Sequence, residues 1–245
     1  MKKIIILLLL SFNFCYSQHL KVEYNFVNNV SYKTNATEGF DKRIAEINKK
    51  PEKQILYFAN GNSFYRNFPD QVIVNEKSRA EVDKKNTKIE IEKFRKEDLK
   101  IFKEKGSDHY FQFKSFNGED FYQKLKPIFS TINYLNDIEY VDNYKCKLVE
   151  VTTDRGQVIK VWYTEDIPVS TGPFVYGMFP GLVLKVQSDN FIIYATKISN
   201  EAKLSEVESI NKKLDVYEGS SFENKMNEIK SKEANPTKIR KEIHL

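Results

Sequence analysis

Residues 55–66 read ILYFANGNSFYR, and this stretch decides the fold. Two apolar runs, 55–59 and 63–66, flank Asn60-Gly61. Both central residues tolerate positive φ, so Asn-Gly between apolar runs is the strongest short-range hairpin signal. The same dipeptide recurs at Asn117-Gly118, between HYFQFKSF and EDFYQKL. Asp154-Arg155-Gly156 joins YKCKLVEVTT to QVIKVWYT, and Ser188-Asp189-Asn190 joins LVLKVQ to FIIYATKI. Four hairpin signals imply an antiparallel meander, because parallel pairs need long crossovers. Upstream, Leu20, Val22, Tyr24 and Phe26 alternate with polar residues, the period-two pattern of a half-buried strand. The expected fold is mainly β: a single curved antiparallel sheet or open half-barrel with one or two short helices.

Helical signal is sparse. Residues 41–50 (DKRIAEINKK) predict a short helix ended by Pro51. Residues 222–234 (FENKMNEIKSKEA) put Phe222, Met226 and Ile229 on one helix face, with Ser220 or Ser221 as the cap and Pro236 as the stop. Residues 76–107 differ in kind, since nineteen of these 32 residues are charged, with signs mixed. They read as a solvated hairpin or edge strand, where charge discourages sheet-to-sheet association; a docking arm for a partner is the other reading. No repeat and no linker rich in Gly, Pro or Ser divides the chain, so residues 18–235 read as a single β-rich domain and 236–245 as a loose tail.

The N-terminus has the three parts of a secretory signal over residues 1–17. Lys2 and Lys3 are basic, Ile4–Leu10 is an unbroken apolar run, and Cys15-Tyr16-Ser17 puts small residues at −3 and −1 of a cut before Gln18. The run is shorter than the ~20 apolar residues of a spanning helix. Phe14 precedes Cys15, where a lipoprotein signal needs a small residue. The expectation is an exported chain, in the periplasm or at the outer surface, with no membrane span after cleavage. Net charge falls from +5 to +3 when Lys2 and Lys3 leave, a mild excess that does not point to nucleic acid. Cys15 leaves too, so Cys146 is the lone thiol of the mature chain. Free Cys is usually buried.

Catalytic signals are few. His19 and His244 lie near opposite ends, and His109 shares strand parity with Phe111 and Phe113, which predicts a packed ring. The sequence contains no HExxH, His/Cys cluster, GxSxG, P-loop or GxGxxG. No cofactor, metal ligand or catalytic residue is assigned. The paired carboxylates Glu119-Asp120 and Glu165-Asp166 cannot each form a dyad, because neighbours in a strand point to opposite faces. They read as turn or solubility residues. Lys145 and Lys147 flank Cys146 but face away from it, so the thiol lacks an activating neighbour.

The segment 158–186, VIKVWYTEDIPVSTGPFVYGMFPGLVLKV, stands apart. A strand carrying the only Trp is broken by Ile167-Pro168 and Gly172-Pro173, and a second strand resumes at Leu182. The loop between carries Phe174, Tyr176, Met178 and Phe179. Loops are usually polar, so four large apolar residues either fold back as a cap on the core or form a contact surface. The candidate binding residues are Trp162, Tyr163, Phe174, Tyr176, Met178 and Phe179, on a backbone shaped by Gly172, Pro173, Pro180 and Gly181.

These residues resemble the GLPGLI family of secreted Bacteroidetes proteins. The naming motif reads Phe179-Pro180-Gly181-Leu182-Val183 here, with Leu184 after it. Cys146 before a basic residue, Val161-Trp162-Tyr163-Thr164, Ile167-Pro168 and Gly172-Pro173 also match, and the resemblance covers about residues 144–198. Met178 stands where the motif has its first glycine. The resemblance implies an exported β-rich protein and carries no established activity. The expected function is therefore a non-catalytic envelope module that binds an apolar small molecule or an outer-membrane protein. The alternatives are a structural component of a surface assembly, or an enzyme using Cys146 or an unrecognised carboxylate pair.

Overall fold

The computed structural model describes residues 19–29, 50–68, 71–79, 88–95, 98–116 and 118–234, with the backbone alone for 71–79, 88–95 and 233–234. The signal segment, all but Lys50 of the helix expected at 41–50, and the tail 236–245 lie outside the described residues.

The chain enters as β1 (Leu20–Asn28), then β2 (Glu52–Ala59) and β3 (Asn62–Asn67). A hairpin follows, β4 (Gln71–Arg79) with β5 (Lys88–Arg95). Next come β6 (Lys100–Lys103), β7 (Tyr110–Phe116), β8 (Glu119–Leu125), β9 (Phe129–Val141), β10 (Tyr144–Thr153) and β11 (Val158–Thr164). After a loop come β12 (Leu182–Gln187), β13 (Phe191–Ser199), the two-residue β14 (Val216–Tyr217) and the helix α1 (Gly219–Ala234). Twelve strands form one sheet in the order β14-β8-β7-β6-β3-β2-β1-β13-β12-β11-β10-β9, while β4 and β5 pair only with each other. All ladders are antiparallel except the short β14–β8 pair.

The four turn signals fall where the strands reverse. Asn60 and Gly61 take φ of 54° and 85°, the left-handed pair that a two-residue hairpin requires. The charged stretch divides. Its β4–β5 part is a hairpin whose strands pair with each other and not with the main sheet, whereas Lys100–Lys103, expected in the same solvated hairpin or edge strand, enters the main sheet and buries Ile101 and Phe102.

The sheet is open, with β9 at one edge and β14 at the other. It is also strongly curved. Tyr65 on β3, Ile101 on β6 and Tyr110 on β7 share one hydrophobic cluster with Val149 on β10, Val161 on β11 and Leu184 on β12, strands far away in the sheet order. The half-barrel expectation therefore holds. Its convex side is covered in part by residues 202–214, whose Ala202, Val207, Ile210 and Leu214 pack on Ile55, Tyr57, Phe64 and Phe102. Sheet covering on both sides explains why consecutive residues Ile55, Leu56 and Tyr57 are all buried.

Helix α1 starts at Gly219, three residues before the expected face begins. Ser221 lies inside the first turn, where its hydroxyl accepts from the Glu218 amide at 3.0 Å and donates to the Glu218 carbonyl at 2.7 Å. Ile229 is buried, and Phe222 lies 6.4 Å from Phe121, so the predicted apolar face is the packed one. Glu119 at the start of β8 ties the helix down through Lys225 (2.6 Å) and Lys232 (2.8 Å).

Candidate functional site

The loop between β11 and β12 folds back into the mouth of the half-barrel. Phe179 is 1% exposed and stacks on Tyr163, with centroids 5.9 Å apart. Phe174 meets Tyr65 at 5.5 Å, and Tyr176 stacks on Phe129 at 6.4 Å. The backbone is held as well. The Gly177 amide donates to the Tyr110 hydroxyl at 3.2 Å, and Lys103 Nζ donates to the Gly177 carbonyl at 3.1 Å. The Val183 amide donates to the Thr171 carbonyl, and buried Tyr24 donates its hydroxyl to the Val183 carbonyl at 2.7 Å.

Glycine is required here mainly for close approach. A Cβ on Gly181, whose φ is +156°, would collide with the Thr164 carbonyl oxygen. A Cβ on Gly177 would come within 2.8 Å of the Thr171 and Gly172 backbone. The loop's left-handed residue apart from Gly181 is Phe174, at φ 53°.

This geometry separates the six candidate binding residues. Tyr163 and Phe179 are buried together, and Phe174 and Tyr176 are partly buried under the sheet. Trp162 is 5% exposed and points to the other side of β11, opposite Lys185, whose ammonium lies 4.2 Å from the indole centroid. Only Met178 presents much side chain to solvent, at 43%. Of the motif backbone, Gly172, Pro173 and Gly181 are buried and Pro180 is exposed.

The exposed apolar surface lies elsewhere, on β9. This is the longest strand, at 13 residues, and it forms an edge of the sheet. Ile132, Tyr134, Ile138 and Tyr140 share one face and are 39%, 61%, 53% and 67% exposed. Leu135 and, just before the strand, Ile128 are also exposed. Opposite Leu148 of β10 the strand bulges, since Tyr134 pairs with Val149 and Ile138 with Lys147. The signal for this surface stands in the sequence as period-two Ile and Tyr around Asn136. Period two alone reads as a core face, because the partner that would cover it is not written in the pattern.

The family described as "N-glycanase peptide, N-terminal domain" matches residues 56–221, from β2 into α1 and well over half of the chain. The chain belongs to this family. Two solved structures are similar, "Structure of PNGF-II in P21 space group" and "Structure of PNGF-II in C2 space group". The first has a TM-score of 0.51 at 14% identity, covering 87% of this chain and 34% of that one. The second has 0.50 at 15%, covering 86% and 32%. At such identities the likeness shows the fold alone. This chain spans about a third of the length of those structures. No curated protein matches it.

In this N-glycanase N-terminal domain several titratable groups are buried or ion-paired. Cys146 is fully buried, and burial pushes its thiol up to about 11, away from the reactive thiolate. Lys145 and Lys147 are exposed on the opposite face, as expected. Glu165 pairs with Lys147 at 2.7 Å. Lys225 and Lys232 hold Glu119 at about 2. Among the described residues, no three His, Cys, Asp or Glu side chains gather where a metal could be held. His109 differs from its predicted place. It precedes β7 instead of packing within it, is partly exposed, and sets Nδ1 2.5 Å from Asp108. Near it lies a half-open cleft of about 390 Å³ lined by Phe58, Ser63, Lys103, Asp108, Ser170 and Thr171. Burial lowers the pKa of Lys103 there.

Proposed function

We propose that this chain is an exported, non-catalytic module of the cell envelope that docks a protein partner through the edge strand β9. The observation that carries the reading is the apolar stripe Ile132, Tyr134, Ile138 and Tyr140, exposed beside a strand edge with no partner among the described residues. An apolar patch of this kind is the usual mark of a protein contact. The non-catalytic part is supported by Cys146, whose thiol burial pushes up, and by carboxylates whose displaced pKa values move downward towards cationic partners. A general acid needs the opposite displacement. The family description, an N-terminal domain of an N-glycanase, supports a module that serves a glycan-directed enzyme. Export is supported by the sequence of residues 1–17 and by the GLPGLI resemblance over residues 144–198, which we retain as part of the proposal.

A second reading places a small ligand beside the aromatic loop. Exposed Met178 and the cleft bordered by Thr171 and Lys103 favour it. Native mass spectrometry of protein purified from its own envelope tests both, using wild type, Tyr140→Lys and Met178→Lys. The docking reading expects a co-purifying protein that Tyr140→Lys releases and Met178→Lys keeps. A bound small molecule that Met178→Lys alone releases would replace it with the ligand reading.

A further inference from the structure

We propose that the partner of β9 is a second copy of this chain, joined strand to strand across a two-fold axis through Asn136; this rests on the docking reading above. The argument begins with the edge itself. β9 contains no Lys, Arg, Pro or Gly, and its guards against pairing are limited to Asp137, Glu139 and its bulges. Its outer side has no strand partner among the described residues. Its register shifts twice, over residues 135–137 around Asn136 and again at Ser130 near its start.

Antiparallel self-pairing about Asn136 matches the arms on either side of the central bulge. On the exposed face, Tyr134 meets Ile138 of the second copy and Ile132 meets Tyr140. Each is an aromatic–β-branched pair, a favourable combination across strands. On the other face of the arms, Glu139 meets Asn133, so this acid does not face its own kind. A two-fold interface must be self-complementary, and the order Ile-Tyr-Asn-Ile-Tyr at alternate positions is so about its centre. The central bulge would sit on the axis, leaving residues 131–134 and 138–141 as regular arms. Pairing would satisfy the outer backbone groups of β9 and shield the flanks of the four exposed stripe side chains, Ile132, Tyr134, Ile138 and Tyr140.

The test uses the purified full chain in sedimentation velocity and mild oxidation. Wild type should show mass rising to that of a dimer with concentration. Tyr134→Lys, a change at an exposed site, should weaken dimerisation about thirtyfold or more while circular dichroism stays native. The two copies of Asn136 would face each other on the two-fold axis. Asn136→Cys should therefore form an intermolecular disulfide, while Ser130→Cys and the parent chain should not. A wild type that stays monomeric at its highest soluble concentration overturns self-pairing. So does a dimer that Tyr134→Lys leaves intact. If the monomer still releases an envelope protein on Tyr140→Lys, docking stands and the second copy falls. If nothing is released, both fall.

Discussion

Phe179→Ala separates the two possible roles of the aromatic loop. Phe179 is 1% exposed, in the same core cluster as Leu182 and Leu184 and stacked on Tyr163 at 5.9 Å with an 18° angle between rings. Truncating a buried Phe removes its transfer free energy and leaves a cavity, together about 3–5 kcal/mol. The ring pair accounts for about 1 kcal/mol of that. For a chain of this size, each kcal/mol lowers Tm by about 2–4 °C, so the expected drop is roughly 6–20 °C. Met178→Ala is the control. Met178 is 43% exposed, one residue away, and its truncation should cost no more than about 0.5 kcal/mol. Scanning calorimetry of the two variants beside wild type gives the answer. If Phe179→Ala melts within about 2 °C of wild type, the loop is not the cap of the core and its aromatics are free to bind.

Other outcomes follow from the same geometry. Gly181→Ala forces a Cβ into the Thr164 carbonyl and should cost about 3 kcal/mol or more, whereas Gly118→Ala, with φ +83° and open space around it, should cost only about 1–2 kcal/mol in denaturant unfolding. Native Cys146 should react with maleimide far more slowly than in the unfolded chain, and equal rates would contradict its burial. Glu119 is depressed to about 2 in the folded state by Lys225 and Lys232. Its contribution is thus present above the unfolded value of about 4.3 and is lost as pH falls towards 2. Protection of the α1 amides should fall over that window, and Glu119→Gln should flatten the fall, leaving the part that Glu228 contributes through the same lysines.

The fold was legible in the sequence where local chemistry dictates it. Asn60-Gly61 needs left-handed φ at both positions, so the hairpin is written in two residues. The 158–186 segment was legible as strand, aromatic loop and strand for the same reason, since Pro and Gly mark the breaks. What was not legible depends on residues far apart. Burial of Phe174 and Tyr176 comes from Tyr65 on β3 and Phe129 on β9, which only the curvature of the whole sheet brings near. The separation of Trp162 from Phe179 likewise follows from which side of β11 each neighbour covers. The exposure of β9 was not legible either. Its alternation has the form of a core strand, and only its place at the end of the strand order exposes it.

The central claim, that β9 is the working surface, is tested most directly by a photo-crosslinking amino acid at Tyr134 and, separately, at Met178, in protein held in its native envelope. The account predicts a defined protein adduct from position 134 and none from position 178. An adduct from position 178 alone, or from neither position, would contradict it.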